Sequence, residues 1–210
     1  INGLKNIAGI EVAVAMKSSY NRDLIKKTNQ GITYYYLPHQ KRNSLDVNSY
    51  DCIKVIDDFN PDIIHAEGAE VLITKSFFKI FSGTKVLSIK GVLNDIKKYE
   101  LGNLNLISLF FSTSIKDIVF TIGLLYKRYI QDLKRKKAEV QSYKLADIVF
   151  GRTIYDRSFS YKFNRNLKYY HIDEILRDSF YKNEWSKAKI VEQSILIGNG
   201  NLARKGAHTA

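Results

Sequence analysis

The chain has 210 residues, of which 45% are hydrophobic and 26% charged, a globular balance that excludes long disorder and suits one full α/β domain plus a fragment of another. Its formal charge of +12 attracts phosphates, nucleic acids and anionic membranes alike, so charge does not choose among these partners. A single cysteine, Cys52, excludes an internal disulfide; with no cleavable apolar leader in view, a reducing cytoplasmic setting is expected.

The opening stretch INGLKNIAGIEVAVAM reads as the tail of a helix entering a strand without an initiating Met, and the chain is expected to be truncated. Short apolar runs then recur: Ile10 to Ala15, Ile32 to Leu37, Asp62 to Ala66, Lys85 to Lys90, Asp147 to Gly151 and Ser194 to Gly198. Near-continuous apolar runs that stop at a polar residue or Gly are what a parallel sheet buried on both faces requires. Between the second and third runs, Tyr50, Ile53, Val55, Ile56 and Phe59 share a helical face, and Pro61 ends that helix. A further helix is expected over 69–80, with Leu72, Phe77 and Ile80 at helical spacing. Strands alternating with helices predict a doubly wound, Rossmann-like parallel sheet.

From Leu104 to Leu145 the chain has no Pro, and Ile122, Tyr126, Tyr129 and Leu133 form an apolar stripe amid Lys127, Arg128, Lys134, Arg135, Lys136 and Lys137. This is an amphipathic basic helix. Its stripe packs on the sheet with lysines in solvent, or the segment 122–137 meets an anionic membrane surface; nucleic acid is not expected, since no recognition motif accompanies the charge. In the preceding apolar segment, Lys116 and Asp117 argue against a membrane span. Near the end, HIDEILRDSFY predicts a helix capped by Asp173 with Glu174 in its first turn, and charged residues from Trp185 to Lys189 mark a domain boundary.

No metal centre is expected, because His39, His65, His171, His208 and Cys52 share no ligand spacing, and Cys52 reads as a packed small hydrophobe. His65 closes a strand at the carboxyl edge, where open α/β sheets bind ligands. It either orients and deprotonates a hydroxyl, or is packed against a loop carbonyl. Arg152, Thr153 and Asp156 follow another strand end, as ligand contacts or as an ion pair and helix cap. The tail GNGNLARKGAHTA admits a dinucleotide fingerprint, a phosphate-binding turn around Lys205, or a plain turn.

Taken together, PDIIHAEGAE, KVLSIKGVLNDIKKY, ADIVFGRTIYDRSF, KYYHIDEILRDSFYKNEW and ILIGNGNLARKGAHTA resemble, in order across 61–210, the retaining glycosyltransferases of family 4 from bacterial polysaccharide-assembly clusters. The resemblance implies a GT-B architecture of two Rossmann-like domains. Residues 1–188 would form the acceptor-side domain, its first strand and Gly-rich loop lying ahead of Ile1. Residues 189–210 would begin the nucleotide-sugar domain. It implies a sugar moved from a nucleotide-diphosphate donor to a glycan or lipid-linked acceptor, with retention and without metal or cofactor, in capsule or lipopolysaccharide synthesis at the cytoplasmic face of the membrane. His65 would be catalytic, and Gly68, Glu70, Lys90, Gly91, Arg152, Thr153 and Asp156 would line the acceptor side. Lys205, Gly206 and Arg204 would meet the donor phosphates, with positive charge stabilising the departing diphosphate. Glu67 stands where relatives carry His or an aromatic, while Arg177 and Trp185 would be structural. A chain lacking most of its donor domain would not turn over. The alternatives from other classes are a non-catalytic basic module that docks on membrane or nucleic acid, and an oxidoreductase read from GNGNLA.

Overall fold

A computed structural model describes residues 3–38, 48–96, 115–173, 175–176, 178–184 and 186–187, giving the helical path but not the side chains of 115–128. After a single 3-10 turn (Leu4–Asn6), β1 (Val12–Lys17) pairs in parallel with β3 (Ile32–Leu37), which also pairs antiparallel with β2 (Ile25–Asn29). The β2–β3 hairpin turns at Gln30 and Gly31, both at positive φ (50° and 76°), as a tight two-residue connection requires. The sequence gives little sign of β2: Lys26 to Asn29 are polar and exposed, as befits an edge strand.

Helix α1 (Ser49–Phe59) starts where Asn48 accepts a bond from the Tyr50 amide and stops at Asn60, in the left-handed region before Pro61. The chain continues through β4 (Ile63–Glu67), α2 (Leu72–Ile80), β5 (Thr84–Ser88), α3 (Leu93–Ile96), α4 (Ile115–Leu145), β6 (Ile148–Gly151), α5 (Ile154–Phe163), β7 (Lys168–His171) and α6 (Asp178–Lys182). Strands β4-β5-β6-β7 lie side by side in that order, all parallel, each joined to the next through a helix, which is the Rossmann-like pattern expected. The expected single sheet is two sheets among the described residues, of three and four strands.

Leu87, Ile89 and Val149 pack with Phe78 of α2, Tyr143 of α4, Ala146 just beyond it and Phe159 of α5, so these helices cover one face of the larger sheet. A second cluster joins Tyr35 and Leu37 to Cys52 and Val55 of α1 and Phe77 of α2, with Ala13, Ala15 and Ile64 packed against it. The helix layer is therefore continuous across both sheets. The opposite face, where β4, β5 and β6 place His65, Ser88 and Phe150, contributes to neither cluster.

Several elements differ from expectation. The helix expected over 69–80 begins at Leu72, because the chain first turns through Gly68 to Glu70. Among the described residues no helix starts at Asp173: β7 runs on to His171, and the next helix is Asp178–Lys182. On α4 the buried face is Asp132, Ala138, Glu139, Ser142 and Tyr143, whereas Tyr129 and Leu133 of the expected packing stripe are 60% and 38% exposed. Ile122 and Tyr126 of that stripe, the strand 194–198, Trp185 and most of the boundary after it, Arg177, and the tail with Arg204, Lys205 and Gly206 lie outside what is described.

Candidate functional site

Parallel pairing brings the carboxyl ends of β4, β5, β6 and β7 to one edge, and alternation decides which side chains share a face. In β4, Ile64 and Ala66 turn to the helices, which leaves His65 and Glu67 on the open face. In register with Glu67 stands Ser88 of β5, and beside Ser88 stands Phe150 of β6. His65 Nε2 lies 2.7 Å from Ser88 Oγ, and the Phe150 ring meets the imidazole edge-on at 5.5 Å. Glu67 Oε1 is 3.8 Å from His65 Nε2, and its Oε2 pairs with Lys90 Nζ at 2.9 Å. Four polar side chains thus meet at the strand ends, within reach of one another and of solvent.

The His65 pKa is lowered, chiefly by burial and further by Lys90, with the Glu67 carboxylate acting against both. The imidazole is therefore neutral at physiological pH and able to accept a proton. Ser88 and Glu67 approach the same ring nitrogen, Nε2, so the acid does not orient the far nitrogen as it would in a Ser-His-acid triad. The arrangement suits binding and deprotonating a hydroxyl better than activating Ser88 as a nucleophile.

Gly68 follows at φ 97°, its amide donating to the Ser88 carbonyl at 2.9 Å, which carries the β4–β5 ladder one residue further before the chain turns. A side chain there would sit 3.2 Å from Glu70 Oε2 and Val71 Cγ2. Glu70 itself pairs with Arg135 of α4 at 3.4 Å, and its other oxygen is buried without a hydrogen-bond partner among the described residues. Gly91 leads into α3, whose first amides are held from below: Glu139 Oε1 accepts from the Leu93 amide at 2.6 Å, and Oε2 from the Asn94 amide at 2.9 Å and from Asn94 Nδ2 at 2.5 Å. Beyond β6, Asp156 Oδ2 accepts from the amides of Arg152 and Thr153 at 3.0 and 3.1 Å, while Thr153 Oγ1 accepts from the Asp156 amide. Thr153 and Asp156 are thus a capping box that starts α5.

Of the residues expected from the sequence, His65 and Lys90 meet, Gly68 and Gly91 shape the loops around them, and Arg152 stands exposed at the next strand end. Glu70, Thr153 and Asp156 have their carboxylate or hydroxyl bonds directed into the scaffold. Sequence reasoning missed Ser88, Phe150 and Glu139, and it set Glu67 aside. Strand alternation held the signal for two of these, because Glu67 sits two positions after His65 and Ser88 two before Lys90. Among the described residues no cluster of side chains is arranged to hold a metal ion. No family model matches the chain, and no curated protein matches it.

Proposed function

We propose that this chain is the acceptor-side domain of a retaining, GT-B-type glycosyltransferase of surface-polysaccharide assembly, which moves a sugar from a nucleotide-diphosphate donor to a hydroxyl of a glycan or lipid-linked acceptor. The observation that carries the reading is the His65–Ser88–Glu67–Lys90 group at the carboxyl edge of a parallel sheet, built from the segments whose order resembles that family. In this reading neutral His65 receives or orients the acceptor hydroxyl, Ser88 and Glu67 fix the imidazole, and Lys90, paired with Glu67, adds positive potential toward the donor. Lys205, Gly206 and Arg204 would complete the donor side. Arg152 would face the same cleft.

A membrane-surface setting follows from α4. Tyr129, Ile130 and Leu133 are exposed beside the exposed Lys134 and Lys137, an apolar and cationic combination that anionic lipid favours by about 1 kcal/mol for each basic residue near the surface. No helix among the described residues is long and apolar enough to cross a membrane, so the contact proposed is peripheral, at the inner face.

The test is sugar transfer by a longer polypeptide carrying both domains, assayed with a panel of nucleotide-diphosphate sugars and polyprenyl-linked acceptors in anionic vesicles. Transfer that His65→Ala lowers by ~100-fold or more, with donor binding unchanged, is expected. Strong donor binding by the 210-residue chain alone would refute the two-domain account. No transfer with any donor, together with salt-sensitive binding to vesicles or DNA, would instead favour a non-catalytic basic module.

A further inference from the structure

Lys90 reaches the site from the arch that joins β5 to α3, and both feet of that arch are fixed. At the near foot the Ile89 amide donates to the Phe150 carbonyl at 2.9 Å, and the Ile89 side chain is buried against the helix layer. At the far foot Val92 is buried in the same cluster, and Glu139 of α4 takes the Leu93 and Asn94 amides. Lys90 and Gly91 lie between. The arch runs close over α3, since a Cβ at Gly91 would stand 3.0 Å from Ile96 Cδ1. With so short a span, the direction in which Lys90 projects follows from where the far foot lands.

That foot is held in an unusual way. A capping side chain just ahead of a helix satisfies one amide. Glu139 satisfies two amides and also Asn94 Nδ2, which donates in addition to the Lys136 carbonyl at 3.3 Å. Tyr155 of α5 holds the next residue, its hydroxyl donating to Asp95. Burying a carboxylate is costly, and a well-packed apolar group in its place is often no less stable. What the carboxylate adds is direction: three donors converge on two oxygens and fix both the height and the rotation of the loop. At the other end of the arch, Lys90 Nζ meets Glu67 Oε2 at 2.9 Å, and Glu67 Oε1 stands 3.8 Å from His65 Nε2. The groups facing the imidazole are therefore Glu67 on its own strand, Ser88 and Lys90 from β5 and the arch, and Phe150 of β6, with Tyr170 of β7 edge-on to Phe150 beyond.

We infer that Glu139 is a positioning residue for the candidate site: by fixing Leu93 and Asn94 it aims Lys90 at Glu67, and through that pair it sets the charge that His65 feels. This goes beyond the reaction proposed above and does not depend on it.

Proton NMR of the 210-residue chain tests it, the His65 imidazole signal being the one that His65→Gln removes. Lys90 lowers the His65 pKa, so Lys90→Met should raise it, weakening acid dissociation roughly two- to fivefold, the effect of one charge a few ångströms away near a protein surface. Glu139→Gln should move His65 in the same direction, and in the double variant it should add nothing to Lys90→Met. Asn94→Ala removes only the side-chain limb of the anchor and serves if Glu139→Gln does not fold; it should give a smaller rise that also vanishes without Lys90. A His65 titration unaltered by Lys90→Met, or by Glu139→Gln and Asn94→Ala in folded proteins, would overturn the inference. So would a shift that persists undiminished in the double variants, since Glu139 would then act on His65 by a route other than Lys90. No donor or acceptor is present in these titrations, so sugar transfer stands or falls on its own assay.

Discussion

Glu139→Gln puts the support beneath the Lys90–Asn94 loop to the test. Glu139 is fully buried in the last two turns of α4, and its carboxylate receives the Leu93 amide, the Asn94 amide and Asn94 Nδ2 at 2.6, 2.9 and 2.5 Å. All three partners are donors, which is the requirement a carboxylate meets and a carboxamide does not. In either orientation the glutamine directs an NH2 group at a backbone amide, so at least one charge-assisted bond is lost and a donor is left facing a donor. A hydrogen bond to a charged group contributes about 1.5–3 kcal/mol, and a buried donor left unsatisfied costs about 1–3 kcal/mol. Against this stands relief from burying a charge, the effect that raises the Glu139 pKa most, with neighbouring Glu70 adding to it and the three donors opposing. The net expectation is a loss of about 2–3 kcal/mol.

For a chain of 210 residues that loss lowers Tm by roughly 4–12 °C. Chemical denaturation of the two proteins reads the free energy directly, and faster exchange at the Leu93 and Asn94 amides locates the damage. A change below about 0.5 kcal/mol with unaltered amide protection would refute the reasoning, since it would mean the donors find other acceptors at no cost. The pH dependence supplies a second check. A carboxyl whose folded pKa is raised gives stability that is complete below its unfolded value of about 4.5 and lost as pH rises through the folded value. The advantage of the native protein over Glu139→Gln should therefore shrink as pH rises from there.

The lowered pKa of His65 has the opposite sign: its contribution is present above the ordinary histidine value of 6.5 and lost as pH falls, because the unfolded chain then binds the extra proton. Denaturation midpoints from pH 7.5 to 5.5 should fall more steeply for the native protein than for His65→Gln, and parallel curves would exclude a partly desolvated imidazole whose pKa is lowered. Cys52, with no exposed surface, has its thiol pushed up to about 12 by burial, so it should react with a thiol reagent at pH 8 only as fast as the chain opens. Labelling within minutes under native conditions would contradict that packing.

The parts of the fold legible in the sequence are those where burial on both faces forces a continuous apolar run. The strands around Val86 and Val149 are of this kind, whereas the helix of Cys52 and Val55 was legible from apolar residues at helical spacing on one face. Edge strand β2 has no such run, because Lys26 to Asn29 face solvent and are held by the Gln30–Gly31 turn rather than by packing. The inward face of α4 was misread for a related reason. It buries Asp132, Glu139 and Ser142, polar residues whose partners are Arg135 one turn on, Leu93 and Asn94 far away in sequence, and the Ala138 carbonyl one turn back, so the Tyr129–Leu133 stripe looked like the packing face although it is exposed. At the candidate site, His65 and Lys90 were visible as strand-end chemistry. Glu67 was passed over because a family pattern outweighed its position two residues from His65, on the same side of the strand.

Strand β4 links the site to a cavity between the sheets. His65 and Glu67 project from its open face, while one of its edges pairs with β5 from Ile63↔Thr84 to Glu67↔Ser88 and the other borders the cavity. With one ladder in place, the heights of His65 and Ser88 are fixed relative to each other, which accounts for their 2.7 Å contact. That ladder does not reach the smaller sheet; Ala13, Ala15 and Ile64 pack against the same cluster as Val55 of α1 and Phe77 of α2. An edge strand held on one side opens more readily than an internal one. Among the described residues β4 is the last strand of its sheet, so the reactivity of His65 should follow the opening of that strand as well as the groups that touch it.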